Sequence, residues 1–197
     1  MRYKPGEKEK ARERMLGPVT DSFRAHGYGG VGVDGLAKAA GVTSGAIYSQ
    51  FGSKAAAFDA ALAAGLDEVI EAIPKYRREH GAGWPTAFAE YYLGKAHRDD
   101  RAGGCAMTAL TPEAARAAET TREIFEAKIT VIVDLIADGL ADGAKAERRG
   151  RAWAFLAQLV GGLTFARAMA SDDLEEQAAA AARVAAIAAA GPARRGS

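Results

Sequence analysis

The chain lacks several features that mark other classes of protein. Only one of its 197 residues is a cysteine, which excludes an internal disulfide and a cysteine-based metal cluster. No apolar run approaches the roughly 18 residues that a membrane-spanning helix needs. The first 14 residues are charged throughout and lack the apolar segment of a secretory signal. These absences predict a cytoplasmic protein without a membrane partner.

Strand patterns are also missing, since no run of Val, Ile and Thr alternates with polar residues. Proline is scarce at 6 residues, whereas alanine, the strongest helix former, makes up about a quarter of the chain. Hydrophobic residues account for 49% and charged residues for 26%, which is too apolar for a disordered chain. We therefore expect an all-α globular protein.

Net charge is nearly absent, at +1, and by itself it does not indicate a nucleic-acid partner. The distribution of the charges is more informative. Residues 1–54 hold 9 Lys and Arg against 5 Asp and Glu, whereas residues 55–197 hold 17 against 20. A basic head on an acidic body is typical of a modular DNA-binding protein.

Glycine and proline positions predict where the helices begin and end. We expect a first helix over 6–25 with a kink or split at Pro18, and an end in the glycine-rich segment 26–30. A long helix should follow Ser53 and kink at Pro74. In the second half, helices are expected over 85–97, 112–118, 121–140, 151–169 and 172–190, and a disordered tail over 191–197.

The most informative segment, residues 33–51, is a helix, a glycine turn and a second helix, which together form a helix-turn-helix. Gly41 makes the turn, and Ile47 and Phe51 give the second helix a buried side. Its other side is small and polar enough to approach base edges, through Ser44, Gly45, Ala46, Ser49 and Gln50.

Each of these residue types has a specific use on DNA. Serine bonds several bases, and a glutamine such as Gln50 pairs bidentately with adenine. Tyr48 and Lys54 suit phosphate contacts, which set the register of a protein on DNA. Helix-turn-helix shapes also occur as plain helical corners, so the motif alone leaves a structural role open.

Three stretches, residues 23–28, 36–42 and 46–54, together resemble the TetR family of bacterial transcriptional regulators. The resemblance covers about residues 8–66. It implies a three-helix DNA-binding domain over 1–54, a fourth helix that links onward, and a helical effector-binding and dimerisation domain over 55–190, about nine helices in all. It also implies a homodimer that represses transcription from a palindromic operator and is released by a small-molecule effector.

By position, the resemblance assigns DNA contact to the start and exposed side of the second helix. The matched residues are Thr43, Ser44, Gly45, Ala46, Tyr48, Ser49, Gln50 and Lys54. Two positions depart from the family pattern. Gly32 and Val33 replace the usual Ser or Thr at the start of the preceding helix, and Pro18 interrupts the first helix.

The effector half offers apolar and aromatic candidates for a pocket, although residues at helical spacing are commonly plain core. The pocket candidates are Tyr91, Tyr92, Cys105, Met107, Phe125, Trp153 and Phe165. The candidates for the dimer interface are Leu156, Val160, Leu163, Val184 and Ile187.

Cys105 follows two glycines at a predicted helix start, where a thiol pKa can be lowered, so it is either a sensor or a small core residue. Residues 97–100 are read as a solvated loop and not a metal site. We expect no cofactor, no metal and no enzymatic activity. Two alternatives remain, a small-molecule-binding or thiol-sensing protein that binds no operator, and a cysteine-dependent enzyme.

Overall fold

The computed structural model describes residues 6–101 and 103–191, and within them it contains ten α-helices, one short 3-10 turn and no strand. The helices are α1 Glu7–Gly30, α2 Val33–Ala39, α3 Ser44–Phe51, α4 Lys54–His80, α5 Trp84–Tyr92, α6 Lys95–Asp99, α7 Ala106–Ala114, α8 Glu119–Gly139, α9 Lys145–Ala168 and α10 Asp172–Ala190, and the 3-10 turn is Gly81–Gly83. The predicted all-α class is confirmed. None of these helices is long and apolar enough to cross a membrane.

The first helix differs from its prediction, because it does not split at Pro18. Its backbone leaves helical geometry only at Gly27, where φ is +71°. Val19 and Phe23 are fully buried on the same helix, so packing holds it through the proline. Because Pro18 has no N–H, it donates no hydrogen bond to the carbonyl of Arg14. Arg14 is an exposed residue, open to water.

Two other predicted boundaries were wrong. The expected helix over 85–97 is divided into α5 and α6 at Gly94, which has extended geometry and lies so close to the Glu90 carbonyl that a Cβ would approach it to 2.7 Å. Pro112 does not open a helix but lies inside α7, which starts after Cys105. Met107 and Leu110 are buried in α7, and their packing outweighs the backbone hydrogen bond that Pro112 removes.

The described chain divides into two compact units. The first contains the described residues up to 67 together with those of 101–126, and the second contains 68–100 and 127 onward. The helices α4 and α8 each contribute to both units. The sequence-based domains, 1–54 and 55–190, therefore do not coincide with the units defined by packing. The predicted tail lies almost wholly outside the described residues.

Aromatic side chains form the centre of the second unit. Trp84 is buried, its ring lies 6.0 Å from that of Phe155 of α9, and its indole N–H donates to the Gly139 carbonyl at the end of α8 over 3.1 Å. Phe88 lies one turn further along α5 and packs on the same Phe155 ring at 6.4 Å. One side of α5 therefore joins α8 and α9 into a single core.

Two arginines, the buried Arg98 and the half-buried Arg167, hold the short helix α6 in the second unit. Arg98, with 3% of its side chain exposed, donates to Glu175 Oε1 over 2.7 Å and to Glu176 Oε2 over 2.5 Å, both on α10. Arg167 of α9 donates to the carbonyls of His97, Arg98 and Asp100 over 2.8, 3.1 and 2.9 Å. Segment 97–100 was predicted as a solvated loop, which was wrong for its buried residues His97 and Arg98.

His97 adds a pH-sensitive element to this cluster. Its ring contacts those of Tyr91 and Tyr92, with centroids 5.0 and 4.9 Å apart. Burial lowers the pKa of His97, and the nearby Arg167 charge lowers it further against the opposing effect of Asp100. The folded protein therefore holds this imidazole neutral over part of the range in which an unfolded chain protonates it.

We expect the fold to lose stability as the pH falls below about 6.5, the ordinary histidine value. Below it the unfolded chain binds a proton at residue 97 that the folded chain does not, so the free energy of unfolding decreases until the folded pKa is reached, by at most about 1.4 kcal/mol per pH unit. Urea unfolding between pH 7.5 and 5 measures the slope. His97→Gln should flatten it relative to wild type, whereas His26→Gln, at an exposed position, should leave it unchanged. Equal slopes for wild type and His97→Gln would contradict the assignment.

Candidate nucleic-acid interface

The connection between α2 and α3 is a left-handed helix end at Gly41. Gly41 has φ +65°, its N–H donates to the Lys38 carbonyl over 3.2 Å, and the N–H of Val42 donates to the Ala37 carbonyl over 2.9 Å. These paired bonds satisfy the last carbonyls of α2 and define a Schellman motif, which favours glycine at the left-handed position. The motif sets the direction in which the chain leaves α2 toward α3.

Side chains at the starts of α2 and α3 fix the second helix further. Thr43 caps α3, because its Oγ1 accepts from the Ala46 N–H over 3.3 Å. Ser44 Oγ donates to Asp34 Oδ1 over 2.5 Å, which links the first turns of the two helices. The residue before α2, Gly32, provides no side-chain cap. Asp34 therefore binds the partner helix and does not cap its own.

The inner side of α3 is fully packed. Ile47 has no exposed surface and Phe51 is 6% exposed, and Leu36 of α2 is completely buried. Arg12 of α1 holds the far end of α3, because its guanidinium donates to the Gln50 carbonyl over 2.7 Å and lies 4.9 Å from the centre of the Phe51 ring. Both ends of α3 are thus attached to neighbouring helices.

The opposite side of α3 is open to solvent at most of the positions that the sequence singled out. Tyr48 is 53% exposed, and exposed or half-exposed positions include Thr43, Ser44, Gly45, Ala46 and Ser49. Gln50 differs from its prediction, since it is only 7% exposed and its Oε1 has no hydrogen-bond partner among the described residues. In this conformation Gln50 lies on the packed side of α3 and does not present its amide to a base edge.

Lys54 opens α4, three residues after the last residue of α3. Ser53 caps α4 by accepting from the Ala56 N–H over 3.0 Å, as predicted. The Lys54 ammonium lies 4.4 Å from the centre of the Tyr28 ring, which packs edge-on against Phe58 with centroids 5.3 Å apart. The Lys54 ammonium lies over an aromatic ring just after the end of α3. Since Lys54 is half-exposed, its charge is close to solvent and can reach a phosphate.

Sequence reasoning missed three residues that position this surface: Arg12, Asp34 and Tyr28. Arg12 is 38 residues from its partner Gln50, and Asp34 is ten residues from Ser44. Neither spacing follows a helical period, so only tertiary contact reveals the pairs. Tyr28 lies just past the bend at Gly27, and the signals available for it were its aromatic character and its place in stretch 23–28 of the family resemblance.

The effector-pocket candidates fall in different environments. Tyr91, Tyr92, Trp153 and Phe165 belong to the second unit, and Cys105, Met107 and Phe125 to the first. Tyr92 and Met107 are almost completely buried, whereas Tyr91, Trp153 and Phe165 are about half or more exposed. Cys105 is buried and its Sγ accepts from the Met107 N–H over 3.4 Å at the start of α7. Its role as a sensor remains a prediction.

The dimer candidates also divide. Leu156 and Leu163 are 4% and 0% exposed within the described subunit, so they line the contact between α9 and its neighbours and offer no surface to a second copy. This corrects their assignment, and the reason is the rotation of α9. Val184 is 68% exposed, and Val160 and Ile187 are half-buried. These three keep surface for a partner.

The described chain is all-helical, and its helix-turn-helix has a second helix that is anchored on one side and open to solvent on the other. This arrangement is typical of helical DNA-binding regulators. Residues 20–61 match the family model described as bacterial regulatory proteins of the tetR family. The chain thus carries the helix-turn-helix segment of the TetR family, which confirms the predicted resemblance.

Solved structures share the fold over nearly the whole chain. The TetR-family regulator from Cytophaga hutchinsonii has a TM-score of 0.76 at 17% identity and covers 98% of this chain and 100% of its own. Reduced NemR from E. coli scores 0.72 at 19% identity, covering 88% and 95%. A TetR regulator from Chloroflexus aurantiacus scores 0.71 at 23%, covering 90% and 94%. No curated protein sequence matches the chain significantly.

The turn geometry generates a prediction for Gly41. Gly41→Ala should lower the free energy of unfolding by about 1 kcal/mol, because a Cβ disfavours the left-handed conformation. A Cβ there would meet nothing within 4 Å, so the effect is one of backbone conformation and not of a clash. Gly41→Asn is the matched control and should lose less, since asparagine tolerates this region better. Urea denaturation measures both. Equal stability of wild type and Gly41→Ala would show that the left-handed turn is not required.

Proposed function

We propose that the protein is a transcriptional repressor that binds a palindromic operator as a homodimer and is released by a small-molecule effector. The observation that carries the proposal is the anchoring of α3. Its inner side is buried through Ile47 and Phe51, and its outer side presents small polar residues to solvent. The proposal places the N-terminal half of α3 in the major groove, in the cytoplasm where bacterial DNA resides.

The outer side of α3 suits close approach to DNA. A Cβ at Gly45 would meet only Thr43 Oγ1, at 3.8 Å, so nothing in the free protein covers the helix there. Ser49 is exposed and offers a hydroxyl, and Tyr48 projects from the same side. Small side chains let a helix backbone sink into the groove, and the hydroxyls supply donors and acceptors for base edges or phosphates.

Exposed surface on α9 and α10 supports a homodimer. Between Arg151 and Arg167, α9 carries no charged residue, and its exposed side includes Trp153 at 46% and Phe165 at 65%. On α10 the fully exposed residues of the last three turns are Ala181, Val184 and Ala188, and the neighbouring Arg183 is half-buried. Exposed apolar patches without charge mark association surfaces, and a two-fold dimer would match a palindromic operator.

DNA binding should separate positioning contacts from sequence-reading contacts. Lys54→Ala should weaken binding to all sequences and reduce the slope of log affinity against log salt by about 0.9, the value for one phosphate contact. Ser49→Ala should instead change the ranking of half-site variants. Fluorescence anisotropy on duplexes from the DNA flanking the gene, over a salt series, measures both effects.

Two variants serve as controls. Lys75→Ala removes an exposed lysine of α4 in the second unit and should leave the slope unchanged. Gln50→Ala should preserve the ranking of half-sites, because Gln50 is buried. Equal losses on every sequence for Lys54→Ala and Ser49→Ala would refute the two roles. Absence of sequence-specific binding by the wild type would refute the repressor proposal and favour a helical binding protein without an operator.

Charge placed on the α9 and α10 stripe should separate the subunits. Phe165→Asp combined with Val184→Asp should change the mass in light scattering from about twice 20.5 kDa to 20.5 kDa, because two carboxylates per subunit would be buried without partners. Val131→Asp, at a 44% exposed position of α8, is the matched control and should remain dimeric. A monomeric wild type at micromolar concentration would contradict the proposal, as would an unchanged mass of the double variant with native circular dichroism.

A further inference from the structure

The first unit contains a cavity of about 320 Å³ beside the start of α4. This volume lies at the lower end of the range for small-molecule sites. Its walls come from the end of α1, the first turns of α4 and α8, and the end of α7 with the segment that follows it. The lining residues are Tyr28, Ala55, Phe58, Glu113, Arg116, Ala117, Ala118 and Thr121. None of them belongs to the predicted pocket in the effector half.

One wall of the cavity is aromatic and rigid. Tyr28 stacks on the fully buried Phe23 with centroids 6.2 Å apart, and Phe58 packs edge-on against both rings at 5.3 Å. The Tyr28 hydroxyl makes no hydrogen bond with the described residues. A planar ligand can therefore pack against these rings. The half-buried Tyr28 also offers it a hydroxyl group.

The polar lining residues include one carboxylate and one guanidinium, and a second carboxylate, on Asp59, bonds a lining residue. Glu113 Oε2 lies 3.5 Å from an amino group of Arg116. The Thr121 hydroxyl donates to Asp59 Oδ1 over 2.7 Å. Glu113 also lies against the bend of α1, because a Cβ on Gly27 would be 2.9 Å from its Oε1. Since Glu113 is already paired with Arg116 and a second carboxylate, that of Asp59, lies next to Thr121, the wall favours a neutral ligand with a hydrogen-bonding group over an anion.

We propose that this cavity binds a small neutral aromatic molecule carrying a hydroxyl group, a simple phenol, and that its binding lowers the affinity for DNA. The regulatory part rests on the proposed function. The ring packs against Tyr28 and Phe58 beside the alanines, and the hydroxyl bonds to the polar groups of the walls. This places an effector site on the DNA-binding unit itself.

Lys54 connects the cavity wall to the region at the end of α3. Tyr28 forms part of the cavity wall, and the centre of its ring lies 4.4 Å from the Lys54 ammonium. Lys54 is three residues after Phe51, the last residue of α3. Engagement of a DNA phosphate withdraws this ammonium from the ring. A phenol that holds the Tyr28 ring in its present position stabilises the arrangement in which Lys54 lies over it, so it binds the DNA-free form more tightly. Linkage requires that DNA weaken phenol binding by the same factor.

The first experiment tests the cavity without DNA. p-Cresol is titrated into isotopically labelled full-length protein and followed by NMR, with toluene as the probe that lacks the hydroxyl. We expect p-cresol to shift the signals of Tyr28, Phe58 and Ala117, and toluene to bind about 2- to 10-fold more weakly, the loss expected for one neutral hydrogen bond. Signals that stay unchanged around Tyr28, or equal affinity for toluene, would overturn the assigned ligand.

Variants locate the site. Ala117→Leu fills part of the cavity and should reduce p-cresol affinity at least tenfold, whereas Ala170→Leu, at an exposed position in the second unit, should leave it unchanged. Tyr28→Phe removes only the hydroxyl and keeps the rings packed, so it tests the hydrogen bond if Ala117→Leu misfolds. Wild-type affinity in a folded Ala117→Leu protein would overturn the site.

The second experiment tests regulation. Anisotropy of the operator duplex is measured with and without p-cresol at a concentration that saturates the NMR titration. Lower DNA affinity of the wild type, together with a smaller effect in Ala117→Leu, supports the coupling. DNA affinity that does not change with the cavity occupied overturns the regulatory part alone. If no duplex binds specifically, the proposed repressor function fails, whereas the NMR titration still decides the cavity.

Discussion

Ile47 has no exposed surface and Phe51 almost none, and this burial fixes the rotation of α3 about its own axis. Because α3 is packed along one side at both of its ends, only the opposite side can face solvent. The Schellman motif at Gly41 sets where α3 starts, and Arg12 holds the Gln50 carbonyl at its end over 2.7 Å. The surface that α3 presents to solvent, including the small side chains around Gly45, depends on this packing, because a rotation of one residue would exchange Tyr48 for Gln50 at the surface.

The second unit uses arginines at helix ends in a comparable way. Arg77 donates to the Leu135 and Asp138 carbonyls near the end of α8, Arg167 bonds the end of α6, and Arg151 bonds carbonyls after α8 and at the end of α10. Carbonyls at helix ends lack partners within their own helix, and cations satisfy them with favourable charge. These charged residues lie at the ends of the helices. The middle of α9 therefore has an uncharged exposed stripe, which suits contact with a second copy of the chain.

Local sequence signals predicted the parts of the fold that local chemistry controls. The Ser53 cap and the turn at Gly41 followed from a cap residue and from a glycine that tolerates positive φ. Predictions failed where packing opposed a local preference. The helix runs through Pro18 because its neighbours are buried, and the position of Gln50 on the packed side could not be read from an eight-residue helix. Leu156 and Leu163 failed for the same reason, since helical spacing identifies an apolar stripe but not the element that covers it.

By itself the sequence determined an all-helical chain, a basic head carrying a helix-turn-helix, and the family whose segment that head matches. These properties depend on residue type, charge and short spacing, which require no knowledge of distant contacts. Only the tertiary structure decided which side of α3 faces solvent, which apolar residues of α9 remain exposed, and that Tyr28 joins a cavity to Lys54. Those outcomes depend on contacts between residues that are tens of positions apart in the sequence. The summed energy of many packing contacts, each of modest size, selects among arrangements that the sequence pattern leaves equally possible.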